Sequence, residues 1–166
     1  MPVVNNVTRW LEAHGIRYTA FELPATKLGA LETARLLEVD PASVFKTIVV
    51  TREEPSRQGR RRPLLVLVPG TSTVDLKLLA AGLGEKKVNL PTEHEAESLT
   101  GLRAGGISPL ALLNRGFETV IDSSARDYPE IHVSGGQRGL NIRLRVEDLA
   151  RVTQARIVPA ARPEVT

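Results

Sequence analysis

Hydrophobic and polar residues alternate along this chain with two different periods, and their order predicts the elements. Apolar side chains at Val4, Val7 and Leu11 recur at helical spacing and stop at Gly15. The segment 45–51 is instead rich in β-branched residues, which is typical of a strand. Along the whole chain this pattern predicts helices over 4–14, 31–37, 76–83, 92–100 and 147–152, and strands over 17–23, 45–51, 64–68, 118–122, 130–133 and 141–146.

Polar residues mark where several of these elements begin. Asp75 precedes the leucines of the third helix, where its carboxylate suits an N-cap or a first-turn position. Thr92 and Glu95 have the spacing of a capping box at the start of the fourth helix. The strands over 45–51 and 64–68 flank an arginine-rich segment, which favours a β-hairpin with a long charged tip.

The order of the elements predicts the fold class. Helices and strands are interspersed, and several neighbouring strands have no helix between them. This order favours a mixed sheet or barrel with peripheral helices over a doubly wound parallel sheet. With 166 residues, no internal repeat and no linker, the chain is expected to form a single domain over residues 1–166.

Composition removes several classes of protein. Cysteine is absent, which excludes disulfides, zinc-thiolate sites, iron–sulfur clusters and thiol nucleophiles. Aromatic residues make up only 4%, too few for a surface that stacks RNA bases. The longest unbroken aliphatic stretch, 64–68, is far shorter than a membrane span, and the N-terminal residues lack the pattern of a signal peptide. We therefore expect a cytoplasmic protein with no membrane contact.

Positive charge is concentrated in one segment. The net charge is +3, and residues 52–62 contain five Arg and two Glu, so the rest of the chain is neutral. Such a segment is either a solvated hairpin tip or a surface that meets phosphate. On the second interpretation, the candidates for contact with nucleic-acid phosphates are Arg57, Arg60, Arg61 and Arg62.

Common catalytic motifs are missing. His14, His94 and His132 lie in different predicted elements and do not have metal-ligand spacing. Neither the Gly-x-Ser-x-Gly nucleophile motif nor the phosphate-binding Walker motif is present. We expect no metal and no cofactor.

Three local features remain as candidates for a site. Lys46 begins an otherwise apolar strand, where it either faces a cavity or extends its ammonium into water. The segment 105–109 combines two glycines with Ser108 and Pro109, and the segment 134–139 combines three glycines with Arg138. Glycine loops of this kind either bring backbone N–H groups close to a ligand or serve as tight turns.

Taken in order, these features resemble the YbaK family of aminoacyl-tRNA deacylases, which is similar to the editing domain inserted in some bacterial prolyl-tRNA synthetases. The resemblance runs from about residue 5 to 155. The residues that carry it are Phe45-Lys46-Thr47, Asp75-Leu76-Lys77, Gly84, Lys86-Lys87-Val88, Thr100-Gly101, Gly105-Gly106-Ile107-Ser108-Pro109-Leu110 and Val133-Ser134-Gly135-Gly136, followed by Arg138-Gly139-Leu140.

The resemblance implies an α+β fold in which a mixed, largely antiparallel β-barrel-like sheet is surrounded by short helices. It also implies hydrolysis of the ester of a mischarged tRNA, such as Cys-tRNA(Pro) or a tRNA charged with another small amino acid. Lys46 matches the lysine required for activity, and Asn141 stands where some members carry a carboxylate. The implied substrate-binding residues are Gly105, Gly106, Ile107, Ser108, Pro109, Ser134, Gly135, Gly136, Arg138 and Asn141.

Several alternatives remain open at this point. Lys46 acts either as a cation that holds the carbonyl oxygen or a terminal phosphate, or as a neutral base. The attacking group is either water or the side chain of the substrate. A non-catalytic tRNA-binding or nucleotide-binding module of the same fold, and an esterase for small molecules, are the competing functions. A prolyl-type aminoacyl-tRNA synthetase is a candidate partner, and the sequence does not name the amino acid that is removed.

Overall fold

A computed structural model describes residues 4–52 and 62–164. Within these ranges the helices are α1 (Asn6–Ala13), α2 (Ala30–Leu37), α3 (Leu76–Leu83), α4 (Glu93–Thr100) and α5 (Val146–Thr153). The strands are β1 (Tyr18–Glu22), β2 (Phe45–Arg52), β3 (Leu64–Pro69), β4 (Ser72–Val74), β5 (Val88–Asn89), β6 (Glu118–Asp122), β7 (Glu130–Ser134), β8 (Leu140–Arg145), β9 (Arg156–Val158) and β10 (Ala161–Pro163). Short 3-10 helices cover Pro41–Ser43, Pro109–Ala111 and Ser123–Asp127.

Side chains that accept backbone hydrogen bonds fix the starts of the helices. The Asp75 carboxylate accepts from the Leu78 amide at 3.0 Å, which confirms its prediction as an N-cap. Thr92 and Glu95 form the predicted capping box at the start of α4. Gly84 and Gly101 end α3 and α4 in the left-handed conformation that glycine adopts easily.

The strands form three sheets. The largest has the order β5-β2-β3-β6-β9, the second β1-β8-β7, and the third pairs β10 with β4. Strands β2 and β3 pair antiparallel, which confirms the predicted hairpin. The pairs β3–β6 and β6–β9 are parallel, whereas all the other pairs of named strands are antiparallel.

The α+β class and the mixed, mostly antiparallel sheet are confirmed, but the barrel is not closed. In the described part of the chain, one isolated bridge between Val44 and His132 links the neighbourhood of β2 to β7. Beyond that bridge, β2 and β8 both contribute residues to the wall of a cavity. Among the described strands, the sheets β5-β2-β3-β6-β9 and β1-β8-β7 therefore remain separate sheets.

The core lies on both faces of the largest sheet. All six residues of β3 are buried. One apolar cluster contains Leu67 and Ile121 together with residues of α1, β7 and β8, a second contains Val66 and Val120 together with residues of α3, and a third, smaller one contains Leu65. No helix in the described ranges is long and apolar enough to span a membrane.

The base of the β2–β3 hairpin holds a buried charge. Arg52 is 9% exposed and donates to Glu85 at 2.8 Å, to Glu118, and to the carbonyl of Arg62 at 2.7 Å. The two carboxylates balance the charge of the guanidinium, because a buried cation is costly unless it is paired. This cluster fixes the two points at which the arginine-rich segment leaves the sheet.

The last predicted element was the helix over 147–152, but the tail after it is also structured. Strand β9 extends the largest sheet, and β10 pairs with β4. Each has only three residues, too few for an alternating pattern to show in the sequence.

Candidate active site

A cavity of about 360 Å³ lies beside the first half of β2. Its walls also include the N-terminal ends of α2 and α4 and parts of the two glycine-bearing loops. Sites for small molecules commonly have volumes of about 300–1,000 Å³, so this cavity is large enough for a compact ligand. The residues predicted for the site that line it are Lys46, Gly105, Ile107, Ser134 and Asn141.

Lys46 places a positive charge at the rim of the cavity. It sits near the start of β2, opposite Val68 of β3. Its side chain is 27% exposed, and its Nζ lies 2.9 Å from Oε1 of Glu164. The lysine is therefore an ion-paired ammonium that is still open to solvent.

The first glycine loop is held together from inside. Ser108 is fully buried, and its Oγ accepts a hydrogen bond from the Leu110 amide at 3.2 Å. Gly106 permits close packing against the second loop, because a Cβ at that position would lie 3.0 Å from backbone atoms of Gln137. Among the described atoms, Gly106, Ser108 and Pro109 support the loop and do not line the cavity.

The second glycine loop is tied to the first by a side chain. Nε of Arg138 donates to the carbonyl of Ala104 at 2.7 Å. Gly139 has φ +89°, and a Cβ there would lie 2.9 Å from the carbonyl oxygen of Leu23. Only glycine fits this combination of left-handed backbone and close approach.

Three of the glycine amides in these loops have partners within the protein. The N–H of Gly106 donates to Arg103 O, that of Gly135 to Leu140 O, and that of Gly136 to Ser134 Oγ. Gly135 and Gly136, like Arg138, are outside the lining of the cavity. In this structure, the three amides hold the loops in shape instead of presenting free donors.

Asn141 is fixed by a buried histidine. Nδ1 of His132 lies 2.8 Å from Oδ1 of Asn141, and a hydrogen on Nδ1 donates to that oxygen. Burial lowers the pKa of His132 below its usual value, although the hydrogen bond with Asn141 acts in the opposite direction. With Oδ1 occupied, and no partner for its amide nitrogen among the described residues, Asn141 can offer that nitrogen to a ligand in the cavity.

Part of the cavity wall was missed by sequence reasoning. Gly29, Ala30 and Thr33 at the start of α2 line it, as do residues 90–93 before and within α4. A salt bridge of 2.6 Å between Lys27 and Glu93 joins these two segments. Their positions depend on contacts between residues 66 apart in sequence, and no local pattern indicates such contacts.

The arginine-rich segment is only partly described. Arg62 is exposed, and its backbone carbonyl accepts a hydrogen bond from the buried Arg52. Arg57, Arg60 and Arg61 lie outside the described residues, so their predicted phosphate contacts remain predictions. Across residues 4–52 and 62–164, no three His, Asp or Glu side chains are grouped as ligands of a metal ion would be.

Comparison with known proteins gives consistent results. Residues 27–152 match the model of the aminoacyl-tRNA editing domain. A protein of Enterococcus faecalis (strain ATCC 700802 / V583), provisionally named Cys-tRNA(Pro)/Cys-tRNA(Cys) deacylase EbsC, is 31% identical over 150 residues, which are 89% of this chain and 87% of that protein.

Two solved structures have the same fold. The hypothetical protein APE2540 superposes with a TM-score of 0.82 at 23% identity, covering 95% of this chain and all of that one. A candidate trans-editing enzyme for prolyl-tRNA synthetase superposes with a TM-score of 0.75 at 25% identity, covering 98% of this chain and all of that one. The family match spans most of the sequence and includes both glycine loops, and this chain belongs to the aminoacyl-tRNA editing domain family.

Proposed function

We propose that this protein is a trans-acting aminoacyl-tRNA deacylase that hydrolyses the ester of a mischarged tRNA. The observation that carries the proposal is the cavity beside β2, which has the Lys46 ammonium at its rim and Asn141 in its wall. Family membership supplies the reaction class. The name of the E. faecalis relative makes Cys-tRNA(Pro) the first substrate to test.

In the reaction, the ester bond between the amino acid and the terminal ribose is broken. When water is the attacking group, it adds to the carbonyl carbon, the amino acid leaves as a carboxylic acid that loses its proton, and the ribose oxygen takes up a proton as a hydroxyl. Negative charge develops on the carbonyl oxygen during attack, so a fixed cation or N–H donor beside that oxygen accelerates the step. An aminoacyl ester is already activated, so positioning and electrostatics suffice without a protein nucleophile.

Lys46 and Asn141 are the groups to which we assign this stabilisation. Lys46 acts as a cation, because its pairing with Glu164 uses the ammonium form. Asn141 offers an N–H donor whose orientation is fixed through His132. We assign a supporting role to Gly106, Gly135 and Gly136, since their amides are engaged within the protein.

The test is a panel of tRNAs charged with Cys, Ala, Ser or the cognate amino acid, each carrying a radiolabel on the amino acid. We expect release of label from at least one small mischarged amino acid and retention of the cognate one. If every ester stays intact, the protein is a tRNA-binding or nucleotide-binding module. If free amino-acid esters are hydrolysed as fast as the charged tRNA, it is an esterase for small molecules.

The same panel identifies the attacking group. A cysteine substrate carries a thiol that can attack its own ester, whereas alanine has no such group. Release from Cys-tRNA but not from the similarly small Ala-tRNA favours the substrate thiol, and release from both favours water.

The proposal includes a partner and a location. We propose that the deacylase works beside a prolyl-type aminoacyl-tRNA synthetase in the cytoplasm, where mischarged tRNA is produced. Sedimentation of the purified protein with prolyl-tRNA synthetase, with and without tRNA, tests the association. Independent sedimentation of the two proteins under both conditions would contradict it.

A further inference from the structure

The C-terminal tail is built into the protein through a buried carboxylate. Asp122, at the end of β6, is 5% exposed. Its Oδ1 accepts the backbone N–H groups of Ala160 at 2.8 Å and Ala161 at 3.0 Å. The carbonyl of Ala160 in turn accepts from the Asp75 amide at 2.8 Å. Hydrogen bonds to an ionised group are among the stronger ones, so the tail is firmly anchored at this point.

From this anchor the tail runs towards Lys46. Strand β10 pairs with β4 in register from Ala161–Val74 to Pro163–Ser72. The N–H of Glu164 then donates to Thr71 O at 3.2 Å. The neighbouring Gly70 donates to Val44 O at 2.7 Å, so this turn lies against the start of β2.

The pairing of β10 with β4 brings the carboxylate of Glu164 to Lys46. Oε1 of Glu164 lies 2.9 Å from Nζ of Lys46, and among the described residues it is the partner found for that ammonium. A lysine ammonium has three hydrogen-bond donors, and Glu164 occupies one of them. The other two remain available to a substrate oxygen.

We propose that Glu164 is a positioning residue that holds the Lys46 ammonium at the rim of the cavity, so that the C-terminal tail forms part of the active site. The proposal rests on the deacylase function proposed above. An ion pair between two mobile surface side chains contributes little. Here, however, the backbone of Glu164 is fixed through β10 and Asp122, so its carboxylate limits the rotamers of a long and flexible lysine.

This contact is not supplied by the part of the chain that matches the family model. The match covers residues 27–152, whereas β9, β10 and Glu164 follow that range. The tail lies outside the matched range and reaches back to the proposed catalytic lysine within it.

The experiment compares Glu164→Gln and Glu164→Asp with the wild type on the charged tRNA that the wild type hydrolyses best. We expect Glu164→Gln to lower kcat by about 3- to 5-fold, the scale of a partly exposed ion pair, while KM changes by less than about 2-fold. Glu164→Asp keeps the carboxylate and should recover at least part of the loss. Glu147→Gln, which breaks the exposed pair with Arg145, is the matched control and should retain wild-type kcat.

A double substitution separates positioning from a structural role. In single-turnover assays, Lys46→Ala/Glu164→Gln should be no slower than Lys46→Ala alone, because Glu164 acts only through the lysine. Unchanged activity of Glu164→Gln overturns the proposal. Higher activity also overturns it, because the contact from the tail would then be inhibitory. An equal loss from Glu164→Gln with and without Lys46 also overturns it.

A measurement that does not depend on enzymatic activity tests the role of Glu164 separately from the proposed deacylase function. If the wild type hydrolyses no charged tRNA, the deacylase proposal fails. Acetylation of Lys46 by a dilute amine-reactive acetylating reagent, followed by mass spectrometry, then tests the contact alone. We expect Glu164→Gln to raise the rate at Lys46 by at least about 2-fold over Glu147→Gln, as loss of a partly exposed pair implies. Equal rates would overturn the positioning role.

Discussion

At the scale of single residues, the deacylase proposal depends most on Lys46. We expect Lys46→Ala to fold normally, because the side chain is partly exposed at the start of β2 and fills no core position. Deacylation should fall by at least about 100-fold, the scale of removing one electrostatic contact from a transition state. Single-turnover release of label from the charged tRNA measures the effect.

The control for Lys46→Ala removes a positive charge elsewhere. Arg151 on α5 is exposed and pairs with Asp148 of the same helix. Arg151→Ala should keep near-normal turnover and a similar affinity for tRNA. Near-normal turnover by Lys46→Ala would contradict the mechanism and leave the fold assignment standing.

His132 gives a prediction about pH. Because burial lowers its pKa in the folded chain, the unfolded chain binds more protons at this residue once the pH drops below the unfolded pKa of about 6.5. The free energy of unfolding should therefore decrease as the pH falls below about 6.5, and this contribution should level off below the folded pKa. Above that window, His132 is neutral in both states and adds no dependence on pH.

Urea unfolding at pH 7, 6 and 5 measures this dependence. His132→Gln keeps a side chain that can hydrogen-bond to Asn141 but cannot titrate, so its stability should fall less than that of the wild type over this range. His94→Gln removes an exposed imidazole of α4 and serves as the control. Parallel curves for the wild type and His132→Gln would rule out a contribution from His132.

At the scale of elements, the two glycine loops are shaped by contact with each other and with β1. Gly139 combines φ +89° with a position where a Cβ would lie 2.9 Å from Leu23 O. Gly116 has a similar φ of +86° but open space around it. The pair therefore separates the effect of backbone strain from the effect of close packing.

We expect Gly116→Ala to destabilise the fold by about 1 kcal/mol through its left-handed backbone. Gly139→Ala carries the same strain and also displaces the Leu23 carbonyl, so its loss should be larger by roughly 1–3 kcal/mol. Free energies of unfolding from urea titration measure both. Equal losses would mean that the loop around Gly139 moves freely away from β1.

The elements also show how far the sequence determines the fold. The four helical and three strand patterns up to residue 100 are confirmed, and the clearest of them, such as α3 and β3, have an apolar face or a buried core of their own. Strands β4, β5, β9 and β10 have two or three residues and form only because a partner strand is already present. The mixed, largely antiparallel sheet is confirmed, but strand number and pairing partners, which decide whether such a sheet closes into a barrel, are not encoded in local periodicity.

The site was predictable to a different degree. Lys46 and the glycine loops could be identified from the sequence, because a charge in an apolar strand and closely spaced glycines are local patterns. The Lys27–Glu93 pair and the arrival of Glu164 at Lys46 join residues 66 and 118 positions apart, and the His132–Asn141 contact depends on the register of two paired strands. Such contacts depend on how the sheets are placed, which the sequence pattern does not reveal.

At the scale of the whole molecule, charge is distributed so that one segment carries the excess. Residues 52–62 have a net charge of +3, and the remainder of the chain is neutral. Arg52 is buried at the base of the hairpin, where it forms salt bridges with Glu85 and Glu118. Arg62 is exposed, while Arg57, Arg60 and Arg61 lie outside the described residues and are candidates by their charge in the sequence.

We predict that these four arginines contact tRNA backbone phosphates away from the cavity. Each phosphate contact contributes roughly 0.7–0.9 to the slope of log affinity against log salt concentration. Replacing all four by Ser should flatten that slope by about 3 if every one of them engages. Binding should weaken to a similar extent for all tRNAs, and the preference for one amino acid over another should not change, because the cavity is intact.

Affinity for tRNA, measured at several salt concentrations, distinguishes this role from a solvated hairpin tip. The matched control replaces four exposed arginines from other elements by Ser: Arg9, Arg115, Arg126 and Arg151. It lowers the net charge by the same amount, so a general field effect would flatten both slopes alike, whereas direct contacts flatten only the slope of the hairpin variant. Superimposable slopes for the wild type and the hairpin variant would mean that the arginines serve only to keep the segment in water.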